Sequence, residues 1–179
     1  MYTEIEAKLK VESHDEIKNK LIELDAEFIG EQLQDDILFD AADESLSKSD
    51  SCLRLRKQVM NGQTKYILTY KGAKEKSNLK KRREIETEVS NGDSVKELLS
   101  ALGYVKRLIV EKTRSFWKLG GCEVALDTLK LLGYFVEIEG PDEKVINDVQ
   151  KSLGLENVQN ISKSYASLIS EKLHQECNK

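Results

Sequence analysis

The chain of 179 residues is poor in the residues that staple small folds or build common metal sites: one proline, two histidines and three cysteines. Cys52, Cys122 and Cys177 are odd in number and far apart, with no CxxC and no Cys/His spacing. A disulfide framework and a zinc site are therefore not expected, and a reducing, cytoplasmic setting fits. No apolar run approaches the roughly 20 residues that cross a bilayer, so no membrane partner is expected. The opening MYTEIEAKLK has no apolar segment of the kind a secretory leader needs. Net charge is −4, from 32 acidic and 28 basic side chains. There is thus no global basic field for nucleic acid, and any polyanion must be held by a local cluster. No Pro/Gly/Ser linker and no fixed-period repeat interrupts the chain, so one domain over 1–179 is expected.

What the sequence has is charge in a regular pattern. Charged residues are 34% of it, above the globular average, but their order argues against disorder. Residues 2–12 alternate strictly: Ile5, Ala7, Leu9 and Val11 against Glu4, Glu6, Lys8 and Lys10, a period-2 strand. Ser13, with Glu16 three residues on, reads as a capping box opening a helix whose stripe is Ile17, Leu21 and Leu24. A strand over 28–40 and a polar loop over 41–50 follow. Asn61-Gly62 joins strands 51–60 and 63–71 as a type I′ hairpin, a turn that needs positive φ at both centres. A Lys-rich connection over 72–80 leads to a strand over 80–89. Asp93 or Ser94 is the expected cap of a helix carrying Val95, Leu98, Leu99 and Leu102 and ending at Gly103. Strands over 104–118, 122–129 and 134–139 are turned at Gly120-Gly121 and near Gly133, and Gly140-Pro141 stops the sheet. Helices over 142–153 and about 161–176 complete the pattern. Some eight strands in short hairpins predict antiparallel pairing, and eight are enough to close a barrel.

One face of most strands is charged throughout. The set is Glu4, Glu6 and Lys8; Arg54 and Arg56; Thr69 and Lys71; Lys80, Arg82, Glu84 and Glu86; Lys112 and Arg114; Asp127; and Glu137 with Glu139. Any one of these strands reads as the wet face of an antiparallel sheet. Together they select charge over Ser, Thr, Asn and Gln, and they place arginine where its rigid fork suits phosphate oxygens. In a closed barrel such a face can point inward, and parity leaves open whether it does. The carboxylates are hard ligands suited to Mg²⁺ or Mn²⁺, and the cations suit a polyphosphate. His14 and His174 read as surface-helix residues, and Cys52 and Cys122 as packing residues.

The motifs and their order resemble the CYTH proteins of the triphosphate tunnel metalloenzyme superfamily. The resemblance rests on Glu4-Ile5-Glu6-Ala7-Lys8, LRLR at 53–56, a TYKG strand end at 69–72 and Arg82-Glu84-Glu86. It continues through Lys112-Arg114, the run LDTLKLLGYFVEIE ending at Glu139, and Ser164-Tyr165. It implies an α+β fold: an eight-stranded antiparallel closed β-barrel enclosing a charged tunnel, with helices packed outside. It implies metal ligation by Glu4, Glu6, Asp127, Glu137 and Glu139. Triphosphate contacts would come from Lys8, Arg54, Arg56, Lys71, Arg82, Lys112 and Arg114, with Lys163 as an addition from the last helix. Catalytic roles fall to Glu4, Glu6, Lys8, Lys112 and Arg114, with Mg²⁺ or Mn²⁺ as cofactor. Parity selects Arg82 over Arg83 for the tunnel, and a bulge would swap them.

The implied substrate is a nucleoside, thiamine or inorganic triphosphate. The look is closest to class IV adenylate cyclases, which convert ATP to cyclic AMP and pyrophosphate. The alternative is a tripolyphosphatase or thiamine triphosphatase using the same parts. A non-enzymatic alternative is a polyphosphate- or RNA-binding module built on KGAKEKSNLKKRR at 71–83, which lacks aromatics for base stacking. An exposed apolar strip could support a homodimer.

Overall fold

The structure, a computed structural model, describes residues 2–177, without the side chain of Cys177. In chain order the elements are β1 (Tyr2–Val11), α1 (Asp15–Glu23), β2 (Glu27–Ala41), α2 (Ser45–Lys48), β3 (Cys52–Met60), β4 (Gln63–Lys74) and β5 (Lys80–Val89). Then come α3 (Gly92–Ala101), β6 (Tyr104–Leu119), β7 (Cys122–Leu129), β8 (Gly133–Glu139), α4 (Glu143–Ser152) and α5 (Tyr165–Cys177). The strands form one closed antiparallel barrel in the order β1-β5-β4-β3-β2-β6-β7-β8, with the helices outside. By backbone proximity the chain divides into two compact units. The first comprises the residues up to Glu4, Gln32–Lys76 and Lys81–Glu111; the second comprises Ile5–Glu31, Ser77–Lys80 and the chain from Lys112 onward.

In the first unit, alternation puts Leu53, Leu55, Ile37, Phe39 and Leu68 on one face, packed with Leu99 and Val95 of α3. The β3–β4 hairpin turns at Asn61 and Gly62, with φ of 50° and 76°, and closes the register Met60↔Gln63. The cap of α3 is Asn91 rather than Asp93 or Ser94: its side chain accepts from the N–H groups of those two residues. Gly92 follows because a Cβ there would come within 2.4 Å of the Tyr66 ring. The expected 41–50 loop is more ordered than its composition suggests. Asp40 accepts from the backbone N–H of Ala41, Leu46 and Ser47, which organises the short helix α2.

In the second unit, Ala7, Leu9, Val124, Leu126, Val136 and Ile138 form the apolar face, covered by Ile17 and Leu21 of α1 and Ile146 and Val149 of α4. Each fully buried Leu, Ile or Val side chain among them contributes about 1.5–3 kcal/mol. α1 starts two residues later than Ser13, whose hydroxyl accepts from Asp15 N–H at 2.9 Å. His14 is not a surface residue: it is buried, and its Nε2 lies 3.0 Å from the Phe135 carbonyl, which makes Nε2–H the donor. Burial lowers its pKa, against the carbonyl's opposing pull. α5 begins at Tyr165, not near 161, because the preceding segment is bonded to β1: Ile161 N–H donates to the Lys8 carbonyl at 2.8 Å, and Asn160 bridges to Leu9. Cys122 is a core residue, as expected, whereas Cys52 shares the parity of Arg54 and Arg56. Among the described residues no helix is long and apolar enough to cross a membrane.

Candidate active site

The charged faces are buried or half-buried in both units, except that Glu86 is exposed. In the second unit they converge on Asp127 of β7, which has no exposed surface. Its neighbours follow from strand register, Arg114 standing opposite Asp127 and Lys8 opposite Glu137. Arg114 forks onto Asp127, with Nε at 2.5 Å from Oδ1 and Nη2 on Oδ2, and Nη2 also reaches Glu137. Lys112 Nζ adds a 3.2 Å contact to Asp127 Oδ2, and the Tyr165 hydroxyl donates to the same oxygen at 2.8 Å. Lys8 Nζ lies 3.1 Å from Glu137 Oε1. Lys80 Nζ meets Glu6 Oε1 at 2.5 Å. Glu139, half-buried, stands opposite Glu6 in the β1–β8 register.

This crowding fixes protonation. Burial alone would raise the carboxyl pKa values, but Arg114 and Lys112 hold Asp127 below the usual range, and Arg114, Lys8 and Lys112 hold Glu137 well below it. Burial disfavours the Arg114 cation, but Asp127 and Glu137 outweigh that and push its pKa well up. Burial and then the Glu137 and Asp127 charges push the Tyr165 phenol well above its ordinary value, so it stays a neutral donor.

The first unit has a second cluster. Arg56, opposite Asp36 in register, donates to it twice, at 2.7 and 2.8 Å. Arg54 donates to Thr69 at 3.1 Å and stands 3.7 Å from Asp36 and 3.8 Å from Glu86. Lys71 joins Glu4, at 3.0 Å, and Glu84. Arg82 is buried and Arg83 exposed, the outcome parity selects; the nearest carboxylate to Arg82, that of Asp50, is 3.7 Å away. The Nε donors of Arg54 and Arg82 are buried with no acceptor among the described residues. Burial works against the Arg54 cation, but Asp36 and Glu84 hold its pKa up.

Every sequence-derived candidate but one therefore lies on a buried or half-buried charged face: Glu4, Arg54, Arg56, Lys71 and Arg82 in the first unit, and Glu6, Lys8, Lys112, Arg114, Asp127, Glu137 and Glu139 in the second. The exception is Lys163, whose exposed Nζ pairs with Glu171 at 2.7 Å, while its carbonyl accepts from Lys8 Nζ. Asp36, Lys80, Glu84 and Tyr165 belong to the clusters although the motif reading gave them no role. Asp36 alternates with Ile37 and Phe39 along β2, so period two alone places it on the opposite face from them. As metal ligands the acids are chemically apt hard oxygens. In this structure each of Glu4, Glu6, Asp127 and Glu137 is engaged by a cation, and among the described residues no three acids, histidines or cysteines stand together as a ligand set.

The CYTH domain family model matches residues 2–165. MJ0240 of Methanocaldococcus jannaschii, a proposed adenylate cyclase by name, is 28% identical over 174 residues, covering 92% of this chain and 97% of that protein. The solved structure of PH1819 from Pyrococcus horikoshii superposes with a TM-score of 0.83 at 34% identity, over 96% of this chain and 99% of that one. HpAC1 from Hippeastrum, described as revealing a dominant triphosphatase activity, shares the fold at a TM-score of 0.71 and 19% identity, over 94% of this chain and 95% of its own. With its motifs on the buried faces of a closed eight-stranded barrel, the chain belongs to the CYTH domain family of enzymes.

Proposed function

We propose that the protein is a metal-dependent enzyme acting on a triphosphate, with ATP converted to cyclic AMP and pyrophosphate as the leading reaction. The observation that carries the reading is a pair of guanidiniums, those of Arg54 and Arg82, whose buried Nε donors meet no acceptor among the described residues. A buried donor left unmet costs about 1–3 kcal/mol. Buried charge networks are also no more stabilising than the apolar packing that could replace them. Residues kept at that disadvantage are explained by an anionic ligand, and a triphosphate supplies many oxygens in the geometry a guanidinium fork accepts.

In this reading Arg54, Arg56, Lys71 and Arg82 bind and orient the phosphate chain. Lys8, Lys112 and Arg114 spread the negative charge that grows on phosphate oxygens during displacement. The 3′-hydroxyl oxygen bonds to the α-phosphorus, its proton passing to solvent, as the bond to the bridging oxygen breaks and pyrophosphate leaves. Glu4, Glu6, Asp127, Glu137 and Glu139 would hold the Mg²⁺ or Mn²⁺ that family membership implies. A bound metal would neutralise phosphate oxygens and activate the nucleophile or the leaving group. The carboxylates that pair with Lys8, Lys112 and Arg114 keep those cations aimed before substrate arrives.

Hydrolysis of a triphosphate is the second reading. It uses the same groups, and the description of HpAC1 reports triphosphatase activity in the same fold. An RNA-binding role for 71–83 is disfavoured by its pairing: Lys74 sits 2.6 Å from Asp50, Lys81 3.1 Å from Glu75, and Lys80 is turned inward onto Glu6.

The test is turnover with Mg²⁺ or Mn²⁺ of ATP, tripolyphosphate and thiamine triphosphate in separate reactions, with products resolved by chromatography. Cyclic AMP with pyrophosphate supports the first reading and orthophosphate the second. Absence of turnover on all three overturns the enzyme reading. Glu4→Gln/Glu6→Gln should abolish metal-dependent turnover and keep the fold by circular dichroism; unchanged activity sinks the metal assignment.

A further inference from the structure

We infer that Tyr165 is a positioning residue for the two lysines Lys8 and Lys112, held there by a strap over residues 160–165 that grips β1. The inference rests on the triphosphate reading for the purpose of those lysines. Four contacts tie the strap to one short stretch of β1. Asn160 bridges to Leu9, and Ile161 N–H donates to the Lys8 carbonyl at 2.8 Å. Lys8 Nζ donates to the Lys163 carbonyl at 3.3 Å and stands 4.1 Å from the centroid of the Tyr165 ring. Lys112 Nζ lies 5.0 Å from the same ring. The ring is itself fixed: Phe135 meets it edge-on at 5.1 Å, and its hydroxyl is anchored on Asp127.

The chemistry of this arrangement is specific. A lysine side chain is a flexible four-carbon stem with three donors, and placing its ammonium requires restraints along its length. A carboxylate restrains an ammonium by taking its donors and cancelling its charge. An aromatic face attracts the cation through the ring quadrupole and consumes no N–H. Tyr165 therefore spaces Lys8 and Lys112 without taking an N–H from either, while Glu137 and Asp127 hold the same ammoniums from the strand face. The family match ends at this residue, so the strap lies within the matched domain.

The full-length protein, Tyr165→Phe, Tyr165→Leu and, away from the ring, Ile161→Pro are compared. Tripolyphosphate affinity is measured by calorimetry with Mg²⁺ present, turnover is resolved into KM and kcat, and the Lys8 ε-methylene is followed by NMR after assignment with Lys8→Arg. Ring current should shift that methylene upfield in wild type and Tyr165→Phe but not in Tyr165→Leu. Tripolyphosphate should bind Tyr165→Leu about tenfold more weakly, with KM raised more than kcat is lowered, and Tyr165→Phe should restore most of the affinity. Ile161→Pro, which removes the N–H given to Lys8 and restrains the backbone around Asn160, should weaken binding a few-fold with melting retained. If Tyr165→Leu does not fold, the wild-type, Tyr165→Phe and Ile161→Pro results decide. The inference is overturned by a wild-type Lys8 methylene with no upfield shift, by equal binding across the variants, or by a Tyr165→Phe defect as deep as that of Tyr165→Leu. A wild-type protein that binds no triphosphate overturns the functional reading instead.

Discussion

Around Asp127, Arg114, Lys112 and the Tyr165 phenol crowd one carboxylate, and Arg114 is divided between it and Glu137. Around Arg54, two guanidiniums keep buried Nε donors that no atom of the described residues meets, and the facing acids Glu86 and Asp50 reach solvent. The two clusters use the same residue types on the same kind of strand face. The difference is saturation. A saturated buried network holds the fold in one arrangement, because removing either partner strands a charge. An under-paired one gives up stability so that a ligand can complete it.

The largest expected effect breaks the saturated side. Asp127→Ala leaves Arg114 and Lys112 buried without their main counter-ion and should lower stability by about 3–5 kcal/mol in urea denaturation. Arg54→Ala should cost about 1 kcal/mol or less, since Asp36 keeps both bonds from Arg56. Equal losses would erase the distinction between the clusters. The next effect sharpens the open side. Arg54→Ala should weaken tripolyphosphate binding about 10–100-fold by titration calorimetry, the range for losing hydrogen bonds to a charged group; unaltered affinity would leave its buried donor unexplained.

The smallest effect is acid sensitivity. Glu137 has a folded pKa well below its unfolded value, so its contribution is fully present above the unfolded value, about 4.3. It is lost as pH falls from there through the folded value. Wild type should therefore lose stability progressively below about pH 5, and Glu137→Gln should show a flatter profile in urea midpoints taken from neutral pH downward. Parallel profiles would show that the fold does not depend on the ionised Glu137.

Much of the arrangement was legible from local chemistry. Asn61-Gly62 announced its turn because few residues tolerate positive φ at both centres. Arg82 was separable from Arg83 because side chains alternate along a strand. Several misreadings involve partners far away in sequence. His14 looks like a surface residue at the start of a helix, and only the Phe135 carbonyl, 121 residues on, makes it an interior one. The run Asn91-Gly-Asp-Ser offers several capping side chains, and the extended backbone at Asn91, with the Tyr66 ring against Gly92, selects the first. Residues 161–164 can continue a helix, but β1 takes up the Ile161 N–H instead.

The sequence by itself determined which side chains share a face, since a period of two is a property of the strand backbone and needs no neighbour. It also determined the chemical character of those faces, hard acids interleaved with arginine and lysine. Only the tertiary structure decided which acid meets which cation. Asp36 belongs to Arg56 and Asp127 to Arg114 because cross-strand register set them opposite one another. Register depends on pairing between segments that are independent until the sheet forms. For the same reason the saturation of one cluster and the unmet donors of the other became visible only in the closed barrel.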